Sequence, residues 1–139
     1  MLETILSATA LYAVGALFGA MVFFPSVVAP MVFKTLDEAS AGRFLRALFP
    51  GYYAFIIAAS AIAAAALYAR PLLAALMAAI AVSTLAVRQV LVPQINAWRD
   101  AELAGDAAAG GRFAAGHRAS VLVNMVQLGG VVWTLWVLA

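Results

Sequence analysis

Arg88 stands deep in an uncharged stretch, seventeen residues after Pro71 and ten before Trp98. None of the six carboxylates lies inside such a stretch to neutralise it. A guanidinium carries five N–H donors and keeps its proton in proteins. Its partners within the chain must therefore be neutral oxygens. An ionisable side chain in an apolar span is costly and marks a functional site by default. If the missing counter-charge is a ligand, Arg suits a phosphate or a carboxylate, whose oxygens match its planar fork. The alternatives are an acidic residue on a partner protein, neutral groups that tie helices together, or a side chain that reaches for the interface.

A second polar pattern lies near the C-terminal end. His117, Ser120, Asn124 and Gln127 fall at i, i+3, i+7 and i+10, one face of a helix. Arg88, Asn96 and Arg99 read the same way, at i, i+8 and i+11. The two segments are consecutive, hence antiparallel, and their stripes can meet. At 1.5 Å per residue, Arg88 lies about 15 Å from Trp98, and Gln127 about 15 Å from His117. The expected pairing sets Arg88 beside Gln127, and Asn96 beside His117 and Ser120. Proline adds acceptors, because it leaves the carbonyl four residues earlier without its helical donor. Pro25 frees Met21, Pro30 frees Ser26 and Pro93 frees Gln89.

These residues form a candidate ligand-binding set. Arg88, Asn96, His117, Ser120, Asn124 and Gln127 converge, and Tyr52, Tyr53 and Pro30 close the site. No catalytic residue stands out. Ser120 lies near His117, but no acid orients the imidazole. No metal site is expected, since His117 is the only histidine and the chain has no cysteine. The cofactor, if there is one, is left open.

The elements that must hold this set are membrane helices. The 139 residues are 67% hydrophobic and 10% charged, against roughly 45–50% and 25% in soluble domains. The charges other than Arg88 border four apolar spans at about 4–33, 45–69, 71–98 and 117–139. Each is long enough to cross a bilayer, which takes about 20 helical residues. The apolar runs are continuous, not alternating, so they are helices and not barrel strands. The expected fold is all-α: a polytopic membrane protein, one four-transmembrane-helix bundle over residues 1–139, kinked in its first helix by Pro25 and Pro30. A net charge of +2 spread over loop ends argues against nucleic-acid binding. Glu3 and the length of the first apolar stretch argue against a cleavable signal peptide.

Basic residues set the expected orientation. Lys34, Arg43 and Arg46 lie in the first loop and Arg99, Arg112 and Arg118 in the third; the other side has Arg70. Short Lys/Arg-rich loops stay in the cytoplasm, so both termini are expected outside, in a cell membrane such as a bacterial inner membrane. Trp98 then marks the inner interface, and Tyr68, Trp133 and Trp136 the outer one. Gly15 and Gly19 predict close approach of another helix, within the chain or across a homo-oligomer. Thr35 and Glu38 match a capping box that starts a short helix before span two. Gly110 and Gly111 are expected to turn the chain into span four.

Four stretches also carry a family resemblance. They are Phe23-Phe24-x4-Ala29-Pro30-x2-Phe33, Leu48-Phe49-Pro50-x-Tyr52-Tyr53, Arg88-x4-Pro93-x-Ile95-Asn96-x2-Arg99-Asp100, and Phe113-x3-His117-x2-Ser120-Val121-x2-Asn124-x2-Gln127-Leu128. On these the chain resembles the small four-helix membrane proteins of the domain of unknown function 4149 family, relatives of transmembrane protein 205. The resemblance implies a polytopic membrane protein and little about activity. Three function classes follow from the residues. The first is a bundle that binds or transports an anionic or polar small ligand. The second is an accessory or assembly subunit of a membrane complex, and the third a small membrane redox enzyme. Membrane lipids are the expected surroundings, with a homo-oligomer or a membrane partner protein as further contacts.

Overall fold

The four apolar stretches become four long helices in the computed structural model, which covers all 139 residues. They are α1 (Leu2–Thr35), α2 (Glu38–Ala66), α3 (Pro71–Leu103) and α4 (Ala107–Leu138). Each is long and apolar enough to cross a bilayer. The bundle runs up and down. α1 packs on α2, α2 on α3, α3 on α4, and α4 closes the ring on α1.

The helix ends follow local chemistry, and three differ from expectation. Thr35 does not start a capping box; it ends α1, its hydroxyl bonded back to Met31. Asp37 is the cap, accepting from the Ser40 backbone N–H at 3.0 Å. With that cap, α2 runs without a break from Glu38 through Pro50, so no separate helix precedes span two. The turn into α4 falls at Gly105, φ 102°, a left-handed conformation that suits glycine, and not at Gly110–Gly111. Asp106 then caps α4, accepting from Ala108 and Ala109. Gly110 and Gly111 lie inside that helix. α3 continues past Trp98 to Leu103.

Two wide turns interrupt the helices. Phe24–Val28 in α1 and Val87–Leu91 in α3 are π turns. The Ala29 N–H bonds to Phe24, and the Val92 N–H to Val87, each five residues back. A proline follows each turn at the same offset: Pro30 after the first, Pro93 after the second. Its missing N–H and its ring leave the preceding turn without an α-type bond, and the wide turn absorbs that loss.

The bundle has two unlike halves. The half with the termini is a packed apolar core, in which Leu17, Met21, Ile56, Met77 and Val131 are fully buried. The other half carries the basic loops and the π turns. Ion pairs close it. Arg46 meets Asp100 at 2.8 Å, Arg99 meets both Glu38 and Glu102, and Arg112 meets Asp106 at 2.8 Å. Exposed pairs contribute at most about 1 kcal/mol each. Their arrangement still matters, because two of them tie the start of α2 to the end of α3.

Gly15 and Gly19 do not meet another helix within the chain; open space lies over both. The buried face of α1 is Ala10, Val14, Leu17 and Met21. Gly15 sits one residue past Val14, about 100° around the helix, and Gly19 two residues from both Leu17 and Met21, about 200° around. The close approach falls elsewhere, at Gly116. A Cβ there would lie 2.7 Å from the Trp98 ring and 2.9 Å from Ile95.

Candidate functional site

All four helices line one cavity of about 170 Å³ in the half of the bundle with the basic loops. The π turn of α1 supplies Phe24 and Pro25, and α2 supplies Phe49, Tyr52 and Tyr53. From α3 come Val92, Ile95 and Asn96; from α4 come His117, Ser120, Val121, Asn124 and Met125. The cavity begins about one turn beyond the core residues Met21 and Ile56. It lies at the π turn of α1, just past the π turn of α3, and around Pro50 of α2.

One wall is aromatic. The Phe24 ring lies 5.4 Å from Phe49 and 4.9 Å from Tyr52; Phe49 stacks on Tyr53 at 5.6 Å. Such separations are those of favourable ring pairs. The opposite wall is polar. The Tyr52 hydroxyl is buried on the Asn124 side and completes no hydrogen bond within the chain. Ser120 donates to the His117 carbonyl at 2.8 Å, so its oxygen is held toward its own helix. His117 is exposed and stands at the mouth, its ring stacked on Phe113 at 6.2 Å. Phe113 in turn lies under the Arg99 guanidinium, 5.3 Å away. That contact links the mouth to the ion-paired loops.

Six of the nine expected site residues meet here: Tyr52, Tyr53, Asn96, His117, Ser120 and Asn124. Three do not. Gln127 is buried one turn above Asn124, and its amide donates to Ser83 at 2.8 Å and Thr84 at 3.1 Å. It belongs to a closed polar layer between core and cavity. Pro30 is exposed and does not line the cavity, whereas Pro25, at the start of the same kinked stretch, does. Arg88 is half-buried, makes no hydrogen bond or ion pair in the chain, and does not line the cavity.

The physical reason for the Arg88 result is the π turn. Arg88 lies within it and Asn96 after it. An i+5 bond encloses one residue more than an i+4 bond. Everything downstream therefore lags by one residue, about 100° of rotation. The stripe Arg88–Asn96–Arg99 holds only for an unbroken α-helix. With the wide turn, Asn96 faces the cavity and Arg88 does not.

Phe24, Phe49, Ile95 and Met125 were absent from the expected set. A signal existed for the first two, since each directly precedes a proline within its span. Aromatic rings at such breaks have room that a regular turn would fill. No comparable signal marks Ile95 or Met125.

A protein-family model described as "Domain of unknown function (DUF4149)" matches residues 12–103, two thirds of the chain. The match takes in the cavity residues of α1, α2 and α3 and stops before α4. No curated protein and no solved structure matches.

Proposed function

The chain belongs to the domain of unknown function 4149 family, and from that starting point we propose that its working part is the four-helix cavity, which binds a small uncharged ring compound bearing one or two polar atoms. The observation that carries this reading is the buried, unpartnered Tyr52 hydroxyl in a cavity walled by aromatic rings on one side and Asn96, Ser120 and Asn124 on the other. A buried polar group without a partner costs about 1–3 kcal/mol. A ligand atom in the cavity removes that cost. The volume fits, since a cavity of about 150 Å³ holds benzene. No arginine or lysine lines the cavity, so an anion is a poorer match than a neutral ring.

Binding is favoured over transport across the bilayer. Carriage through the bundle requires an open path from this cavity to the terminus end. That path is filled by Leu17, Met21, Ile56, Met77 and Val131. Isothermal titration of the detergent-purified protein with phenol, benzene and inorganic phosphate tests the reading. Phenol is expected to bind, benzene to bind at least about tenfold more weakly, and phosphate not at all. Phosphate binding, or no binding of phenol, overturns it.

One observation favours a second reading, an accessory subunit. Arg88 has no acceptor in the chain, and a second copy brings no carboxylate to its depth, because all six lie at helix ends or loops. A partner helix with an intramembrane Asp or Glu would satisfy it. Under this reading Arg88→Lys retains the assembly and Arg88→Leu loses it, while phenol binding is unchanged in both.

A further inference from the structure

A second cavity, about 470 Å³, opens at the other end of the bundle, where α1 starts and α2 turns into α3. Glu3 and Arg70 both line it, together with the hydroxyl residues Thr4, Ser7 and Tyr68. The rest of the wall is apolar and includes Leu6, Leu67 and Leu138. Glu3 and Arg70 carry opposite charges, yet they form no ion pair with each other or with any other side chain. The Arg70 backbone is fixed in the turn, its N–H bonded to Leu67 at 2.7 Å and its carbonyl accepting from Ala74. An acid and a base thus sit on one cavity with space between them.

We infer that this cavity holds the head group of a zwitterionic phospholipid with a primary ammonium, a phosphoethanolamine. The chemistry matches group by group. A primary ammonium has N–H donors for the Glu3 carboxylate. The phosphate accepts the fork of Arg70. The hydroxyls serve the glycerol oxygens, and the leucines meet the start of the acyl chains. The location agrees, for Glu3 and Arg70 stand at the ends of spans, where head groups lie. A phosphocholine lacks N–H donors and so has nothing for Glu3 to accept. A phosphoglycerol lacks the positive charge. The volume lies within the range of small-molecule sites, about 300–1,000 Å³.

Native mass spectrometry of the full chain tests this, with phosphatidylethanolamine, phosphatidylcholine and phosphatidylglycerol of identical acyl chains and with soluble glycerophosphoethanolamine. Wild type is expected to retain phosphatidylethanolamine at least about tenfold over phosphatidylcholine. Glu3→Gln should bring phosphatidylethanolamine down to the phosphatidylcholine level and leave phosphatidylglycerol unchanged. Arg70→Gln should weaken all three lipids. Equal retention of ethanolamine and choline lipids by wild type overturns the proposal, as does soluble glycerophosphoethanolamine binding as well as the intact lipid. Melting in lipid-free detergent is the second measurement. If both single variants lower the melting temperature equally and the double variant lowers it no further, the two residues pair with each other and the proposal fails. Unchanged melting together with loss of ethanolamine selectivity supports it.

Discussion

Asn124 and Gln127 are one helical turn apart on α4, and their environments differ in kind. Gln127 has two hydroxyl partners; Asn124 faces a cavity and a buried tyrosine hydroxyl. Their substitutions should therefore separate stability from binding. Gln127→Leu is expected to cost about 0.6–1.7 kcal/mol, the range of interhelical polar contacts in membranes, and to leave phenol affinity unchanged. Asn124→Leu is expected to leave the melting temperature unchanged and to weaken phenol at least about tenfold. Melting curves and titrations on the same preparations decide between them. Asp37 gives a pH signature outside the membrane. Hydrogen bonds from Ser40, its hydroxyl first and its backbone N–H second, hold the Asp37 carboxyl below the usual carboxylate range. A depressed pKa stabilises the fold above the unfolded value and loses that contribution as pH falls through the folded one. Hydrogen-exchange protection in the first turn of α2, taken relative to the intrinsic rate at each pH, should be steady above about pH 5, near the top of the usual carboxylate titration range, and should fall below it. In Asp37→Asn the acid dependence should vanish. At this scale the α4 stripe was legible because α4 is one unbroken helix, so sequence spacing maps onto a face. Gln127 was misplaced by height along that stripe, and spacing alone does not say where a cavity ends.

Helix breaks decide what faces what. The π turns are marked in sequence by Pro30 and Pro93, yet a proline alone does not say whether a helix bends, stops or widens. That is why Arg88 was expected beside Gln127 and Pro30 at the site. Deleting Val90 should turn Val87–Leu91 into a regular α turn while Asn96 keeps its direction, because the π turn already absorbs one extra residue. Phenol binding should survive this deletion. Deleting Leu85, outside the wide turn, should instead rotate the whole end of α3 and abolish binding. Equal loss in both cases would show that the wide turn carries no register. Gly116 makes the complementary case. Alanine for glycine in a helix normally gains about 0.5–1 kcal/mol. At Gly116 the new Cβ would press on Trp98 and Ile95, and overpacking costs about 1–3 kcal/mol. Gly116→Ala should lower the melting temperature, and Gly111→Ala, with open space over it, should raise it. Within the chain the expectation at Gly15 and Gly19 failed because small-residue spacing marks a face without saying whether a neighbour occupies it. If a second chain fills that face, Gly19→Leu lowers oligomer mass on size exclusion with light scattering; in a monomer it changes nothing.

For the molecule as a whole, composition told most. Continuous apolar runs long enough for a bilayer became four helices, and short loops made them neighbours in order. The basic asymmetry, six residues at one end against Arg70 at the other, predicts the cavity end inside and the termini outside. The chain has no cysteine, so single reporters are clean. Ala39→Cys and Ala108→Cys, both exposed positions, should resist an impermeant thiol reagent in intact cells, and Ala69→Cys should react. The reverse pattern inverts the topology. What composition did not tell was the division of the bundle interior into a filled half, whose cavity opens only at its outer end, and one hollow between all four helices. That division has a kinetic side. Amides of the filled half can exchange with solvent only when the whole bundle opens, whereas those beside the π turns need only a local opening. Each helix should thus show slow exchange toward the termini end and fast exchange beyond Phe24, Pro50, Val87 and Asn124. A ligand seated in the cavity would slow only the fast half, so the protein would report occupancy through its rhythm of opening while its average shape stayed the same.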